Sequence, residues 1–537
     1  MAAPIKPARS EWTPPAGRFL LAVGVWLAWL AWMRPLTLPD EGRYAGVAWD
    51  MFRSGSHAVP LLDGMPYFHK PPLYYWLTEL SFSIFGVHPW AARVPSWLAA
   101  WGAAAGLYVF VRRHRDAFAA TLTVLVLCTM PFFYGGAQFA NLDMLVAGLI
   151  TLCVLAGTET ALRVERGEPR HGMSLATGAL AALAVLAKGL IGLVLPGAIL
   201  LLWLVWEKRW RGLAALVWPP ALLVFLAVAA PWFVLMQIRY PGFYDYFFVY
   251  QHFQRFAASG FNNAQPFWFY LPVLAGLSLP WSLWGGGILR RAFWTDGRAR
   301  SLRRLAAVWF AVVVAFFSLP HSKLIGYVLP ALAPLAFLLA EVIQAAWRGE
   351  SSAVTPRLVH ISAAAAAGIC VIAVGIAAFN ARGSAAPLAK VAREQARLDD
   401  TFVALRAYPF DLALYVHATR PTWVVDDWLD PDVPVRDNWR KELYDAAKFD
   451  PVTGAQVLVS AAQFNARLCA APEGARFWIW GNSDDGTVYA PLQGVKPSVA
   501  SGKRVLWRVQ ADAALRQRVC AGTPTAGWPQ TSQTPGR

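Results

Sequence analysis

TLPDEGRYAGVAWDMFRSGSHAVPLLDGMPYFHKPP, residues 37–72, follows directly on the first long apolar run of the chain. It gathers Asp40, Glu41, Arg43, Asp50, Arg53, Asp63, His69 and Lys70 into one short span. Working outward from it, nearly everything on either side is hydrocarbon-like. Charge beside a bilayer is costly, so a charged stretch between two membrane segments is a functional-site hypothesis from the outset. The stretch reads as an outer loop with a catalytic carboxylate and a cationic grip for a lipid-linked phosphate.

Composition sets the frame. The 537 residues are 57% hydrophobic and 15% charged, where soluble domains lie near half apolar and about a quarter charged. That balance belongs to a polytopic membrane protein. The net charge of +16 is explained by orientation signals rather than nucleic acid, because no basic face with stacking aromatics stands apart from the apolar runs. The 27 Trp suit aromatic belts at the two interfaces. Cys128, Cys153 and Cys370 fall in apolar runs as small hydrophobes. Cys469 and Cys520 allow a disulfide if the polar C-terminal region is extracytoplasmic. Lys6, Arg9 and Arg18 before the first run, without a small-residue cleavage site, read as an uncleaved first span.

Apolar runs recur at 19–33, 90–111, 117–136, 142–162, 173–187, 189–206, 213–238, 267–289, 305–319, 324–346 and 358–379. Each approaches the ~20 residues needed to cross a bilayer. The expected fold is mainly α and polytopic, with about 11–13 transmembrane helices, interfacial helices in the first outer loop and a small mixed α/β periplasmic domain. Every second loop is basic: Arg112, Arg113 and Arg115; Arg163, Arg166 and Arg170; Lys208, Arg209 and Arg211; Arg290 to Arg304; Arg348 and Arg357. By the positive-inside rule these are cytoplasmic. The C-terminal region and Asp40, Glu41, Lys70, Asp143, Lys188, His252, Arg255 and Lys323 then lie on the outer side.

Domain boundaries follow. Residues 1–380 form the transmembrane domain, with outer loops at 34–89 and 239–266; 381–523 form the α/β domain, and 524–537 a disordered tail. In the first loop, Glu41–Phe52 has the helical spacing of an amphipathic surface helix with Asp40 as its N-cap. Leu73–Phe85 reads as a second interfacial helix after Pro71-Pro72. Beyond 380, residues 401–405, 412–416, 422–425, 456–459, 476–480 and 504–509 look like short strands, with Ala389–Arg397 as a helix between them.

The charged residues each have a bland reading: Asp40 and Glu41 as a cap and first-turn acid, Lys70 as a snorkelling cation, Lys188 as a loop cation. Asp143 resists it, because an unpaired carboxylate inside a span is costly without a partner or polar cavity. His252 and Arg255 share a helix face, and His321, Lys323 and Tyr327 follow in PHSKLIGYVLP (320–330). Carboxylates and cations together suit a phosphate-bearing donor and an acceptor oxygen that must lose a proton. There is no Walker, GxSxG, HExxH or CxxC pattern. A divalent metal at His69 and His252 is the one cofactor the residues leave open, and no nucleotide cofactor is expected. A flippase would spread charge through the membrane depth and show two repeated halves, and a display scaffold would explain neither Asp143 nor the charged loop.

DEGRY (40–44), YFHKPPLYYW (67–76), FGVHPWAARVP (85–95), LDM (142–144), KGLIGLVLP (188–196), HFQRF (252–256), QPFWFYLPV (265–273) and KLIGYVLP (323–330) together resemble the bacterial protein-O-mannosyltransferase-like glycosyltransferases. The similarity runs over roughly residues 18–345 and is greatest to the aminoarabinose transferases that modify lipid A. It implies an inner-membrane enzyme that moves a sugar from undecaprenyl phosphate to lipid A or another envelope glycolipid, among membrane lipids, at the periplasmic face. It further implies Asp40 as the main catalytic carboxylate beside Glu41 and Asp143 as a second acid. Arg43, Lys70, Lys188, Arg255, Lys323 and Tyr327 would lie near the phosphate, with Tyr67 and His252 in contact with substrate. Two departures touch acceptor choice: His69 stands where the family often has Glu, and SGFNNA (259–264) follows Arg255 where relatives often carry a His.

Overall fold

The computed structural model describes residues 11–254, 263–295, 297, 299–348, 356–379 and 384–520, with only the backbone described for 252–254 and 356. The chain divides into two compact units. One comprises Met1–Arg34 and His69–Asn380, the other Pro35–Phe68 and Ala381–Arg537.

The first unit is helical. Among the described residues, seven helices are long and apolar enough to span a membrane: Pro89–His114, Leu142–Arg166, His171–Lys188, Trp210–Arg239, Arg300–Ser318, Ile325–Trp347 and Arg357–Phe379. The other four expected spans are present in altered form. Ala117–Thr129 and Pro131–Ala137 meet at a 72° bend; the imino ring of Pro131 cannot continue the preceding helix. The helices Ala16–Ala28 and Ile191–Trp206 are apolar but shorter than a full crossing. The run 267–289 breaks into Tyr270–Leu277 and a 3₁₀ segment, Trp281–Gly287.

The five basic loops lie at one end of this unit, and ion pairs tie them together. Arg113, His114, Arg163 and Arg166 all reach Glu159. Arg115 and Arg303 share the buried Glu341. Arg209 reaches Glu165, Arg304 reaches Glu207, and Arg348 reaches Asp116. Asp143 opens the helix whose last turn carries Arg163 and Arg166. At 1.5 Å per residue it therefore stands roughly 30 Å from the basic end.

The second unit is built on a six-stranded sheet. With a hairpin Leu61–Leu62 (β1) and Met65–Pro66 (β2) preceding them, its strands are Thr401–Leu405 (β3), Trp423–Val425 (β4), Leu458–Val459 (β5), Arg476–Asn482 (β6), Val499–Ser501 (β7) and Arg504–Gln510 (β8). The order is β5-β4-β3-β6-β8-β7, parallel from β5 to β6 and antiparallel beyond. Both faces are covered. Val403, Phe477, Ile479 and Trp507 pack under the helices Ala461–Cys469 and Ala513–Cys520. Phe402, Trp478, Trp480 and Leu506 pack under Ala386–Gln395 and Leu412–Val416. Burial on both sides explains why β6 reads as the unbroken apolar run RFWIW instead of alternating. The disulfide Cys469–Cys520 joins the ends of the two helices on one face.

Four expectations are corrected here. Residues 412–416 form a helix, not a strand, with Leu412, Leu414 and Val416 buried. Half of 456–459 belongs to the end of a helix, Pro451–Val457, leaving a two-residue strand. The helix of the opening stretch, Asp40–Ser54, is buried at ten of its fifteen positions rather than lying amphipathic on a surface. Pro39, not Asp40, is its N-cap residue.

Candidate active site

The helix Asp40–Ser54 belongs to the same unit as the sheet, and small residues let it dock there. A Cβ on Gly46 would stand 2.4 Å from the carbonyl oxygen of Phe410, so only glycine permits this approach. Phe410 lies in the segment that leaves the carboxyl end of β3. Further along the loop, the backbone N–H of Thr422 donates to Asp63 (2.8 Å), and Gly64 N–H and Arg53 Nε donate to Asp50 (3.2 and 2.8 Å). Burial, and after it the adjacent Asp50, push Asp63 well above the usual carboxylate range.

At the start of the helix, Arg43 bridges two carboxylates. One terminal nitrogen meets Asp40 and the other Glu442, both at 2.5 Å. The remaining oxygen of Glu442 accepts the hydroxyl of Tyr67 at 2.8 Å. The guanidinium lies 5.6 Å from the ring of Tyr44 and 5.8 Å from that of Phe410. Burial opposes its charge, but Glu442, with Tyr67, Tyr44 and Asp40, outweighs that and holds it well above its ordinary pKa. The side chain of Asp40 is 40% exposed, against 10% for Glu442. Asp40 is thus an accessible acceptor fixed from behind by a buried cation. Glu41 is fully buried and accepts the N–H of Thr37 (2.9 Å), closing the helix entrance.

The membrane unit has its own cluster. Asp143, in the first turn of its helix, receives the ammonium of Lys188 from the last turn of the next. Lys188 also stands 4.3 Å from the ring centroid of Tyr327. A Cβ on Gly326 would come within 2.4 Å of Asp143 Oδ2, so the backbone beside Tyr327 is moulded to this carboxylate. The costly charge inside a span is therefore paired, and Lys188 is its partner.

The other candidates fall as follows. Lys323 is buried, and its ammonium donates to the carbonyls of Gln265 and Pro320, stitching two segments together. His69 is buried, with its ring 5.9 Å from that of Tyr246 in the π-helical segment Asp245–Gln254. Lys70 is half-buried just before the helix Leu73–Phe85. Arg255 and the side chain of His252 lie outside the described residues. Among the described residues no group of three or more His, Cys, Asp or Glu is placed to hold a metal ion.

Residues 69–235 match the family described as dolichyl-phosphate-mannose-protein mannosyltransferase. Relatives of the chain include undecaprenyl phosphate-alpha-4-amino-4-deoxy-L-arabinose arabinosyl transferases. That of Erwinia tasmaniensis is 32% identical over 64% of this chain and 62% of its own length. That of Pseudomonas aeruginosa is 32% identical over 57% of this chain and 56% of its own length. The chain thus spans less than two thirds of the relatives it matches. In structure it is similar to ArnT from Cupriavidus metallidurans, crystallised with undecaprenyl phosphate. The TM-score is 0.76 at 23% identity, covering 93% of this chain and 98% of the other. The apo form gives a TM-score of 0.73. The likeness establishes the fold: a multi-span helical membrane protein with a small sheet domain in its C-terminal part.

Glu442 is the site residue that sequence reasoning missed. KELYD (441–445) looks like any solvated helix turn, and 399 residues separate Glu442 from Arg43. No local signal marks such a partner.

Proposed function

We propose that the chain transfers a sugar, 4-amino-4-deoxy-L-arabinose, from undecaprenyl phosphate to a lipid acceptor, the phosphate of lipid A. It would act at the periplasmic face of a bacterial inner membrane. The observation that carries this reading is the exposed carboxylate of Asp40 held by Arg43, in a chain related to transferases named for that donor. The acceptor oxygen attacks the anomeric carbon as the bond from that carbon to the phosphate oxygen breaks. The proton leaving the acceptor passes to Asp40, and undecaprenyl phosphate departs with the bond's electron pair. A polyprenyl phosphate leaves readily once cations offset its charge, so the protein's work is orientation, charge placement and proton acceptance. The basic loops, gathered at one end of the membrane unit and read by the positive-inside rule, support a periplasmic position for Asp143 and Lys188. Lys188 is the cation assigned to an anionic substrate group, and Arg43 holds Asp40 in place.

A second acceptor, another envelope glycan or a protein, is favoured by His69 and by SGFNNA (259–264), which depart from the family pattern where acceptor choice would be set.

The test is donor consumption by the purified chain in detergent, with lipid A as acceptor. Asp40→Asn should lower turnover at least 100-fold, as loss of a general base does; wild-type turnover in this variant refutes the assignment. Envelope glycolipid mass spectra with and without the gene decide the acceptor. A lipid A mass difference of one aminoarabinose supports lipid A, whereas a shift confined to another glycan or protein supports the second reading.

A further inference from the structure

We infer that Glu442, supplied by the C-terminal α/β domain, is a positioning residue that sets how Arg43 engages Asp40. This rests on the transfer reaction proposed above.

The argument is one of valence and charge. Arg43 presents its two terminal nitrogens to two different carboxylates, one each. An arginine facing one carboxylate ordinarily spans it with both nitrogens, which would occupy both oxygens of Asp40 and quench its basicity. Glu442 prevents that by claiming the second nitrogen. It is itself fixed at both oxygens, Arg43 on one and the Tyr67 hydroxyl on the other, and it rides on the helix Trp439–Ala447. Asp40 therefore keeps one oxygen clear of the guanidinium. The groups whose charge acts most on Arg43 are Glu442, Tyr67, Tyr44 and Asp40. Glu442 is the buried negative charge in that set, so its removal leaves the full cation to Asp40.

The arrangement also gives the C-terminal domain a reason to exist in a membrane glycosyltransferase. It supplies Glu442 to hold the guanidinium from one side, and Phe410 lies within 5.8 Å of that guanidinium.

The experiment compares Glu442→Gln, Glu442→Asp and Tyr67→Phe with wild-type full chain in detergent, following undecaprenyl-phosphate-aminoarabinose consumption across pH. Glu442→Gln should lower kcat at least tenfold while the donor KM stays within about threefold. It should also move the acid limb of the pH–rate profile down by about one pH unit, because Asp40 then faces an unshared cation. Glu442→Asp should recover part of kcat, and Tyr67→Phe should lose about threefold. A purely structural role would lower the amount of folded enzyme without moving that limb. Active wild type with an unchanged kcat and acid limb in Glu442→Gln overturns the inference and leaves the proposed function standing. Inactive wild type overturns the proposed function. The pKa of the Asp40 carboxyl, read by carbon-13 NMR, then decides the inference: a fall of about one unit in Glu442→Gln supports it and an unchanged value refutes it.

Discussion

Asp411→Asn should remove the contribution of Asp411 to the pH dependence of local stability in the C-terminal domain. Asp411 is fully buried. One carboxyl oxygen accepts Ser384 Oγ (2.7 Å) and Ala385 N–H (3.0 Å), and the other has no hydrogen-bond partner. Burial, only partly offset by Ser384 and Ala385, pushes its pKa up to about 7 from 3.8. The folded state thus binds this proton more tightly than the unfolded chain. Its stabilisation is complete below the unfolded pKa and is lost as pH rises through the folded one. A gap of ~3 pH units corresponds to about 4 kcal/mol in total, of which about 2.5 kcal/mol disappears between pH 5 and pH 8. Asparagine cannot ionise, so it removes the dependence, and its buried NH₂ group costs about 1 kcal/mol at every pH. The assay is hydrogen exchange of the helices Leu412–Val416 and Ala386–Gln395, taken as the ratio of variant to wild-type protection so that intrinsic exchange rates cancel. That ratio should rise roughly 70-fold from pH 5 to pH 8. Asp50, Asp63, Asp426 and Asp485 are raised in the same unit, but they contribute equally to both proteins. A ratio constant within threefold across that range refutes the reasoning.

Two further outcomes are expected. Replacing Cys469 and Cys520 by Ser opens a loop with a sequence separation of 51, which should destabilise the C-terminal domain by about 4 kcal/mol on the chain-entropy account; reduced and oxidised protein with the same melting temperature would contradict it. Gly326→Ala forces the Asp143–Lys188 pair to shift and should cost about 1–3 kcal/mol by overpacking. It should lower donor turnover at least tenfold, and unchanged turnover would separate that ion pair from the reaction.

Much of the fold was legible because hydrocarbon length is written directly into composition. Each apolar run of the sequence corresponds to a helix, a bent pair or a broken segment. The breaks were not legible as lengths: in 267–289 the signal is Pro280 and Gly285 to Gly287, which a count of apolar residues passes over. LALYV (412–416) suits a strand in composition, yet its five residues close as a helix that puts Leu412 and Val416, four positions apart on one face, into the core with Trp478 and Trp480. At the site, Asp143 was recognised from the cost of a lone charge in a span, and the pairing with Lys188 answers that cost. The burial of Asp40–Ser54 was illegible for a different reason. Its covering surface is Phe410 and its neighbours, several hundred residues later in the chain, and no local periodicity carries that information. Glu442 was hidden in the same way.

That separation has a consequence for biosynthesis. The surface that receives Gly46 includes Phe410, more than 350 residues downstream, and the partner of Arg43 lies further still. At ~5–20 residues per second of translation, the Asp40 helix emerges roughly 20–70 s before its seat exists. The nascent chain therefore carries Asp40 unlatched until the last third of the polypeptide has been made.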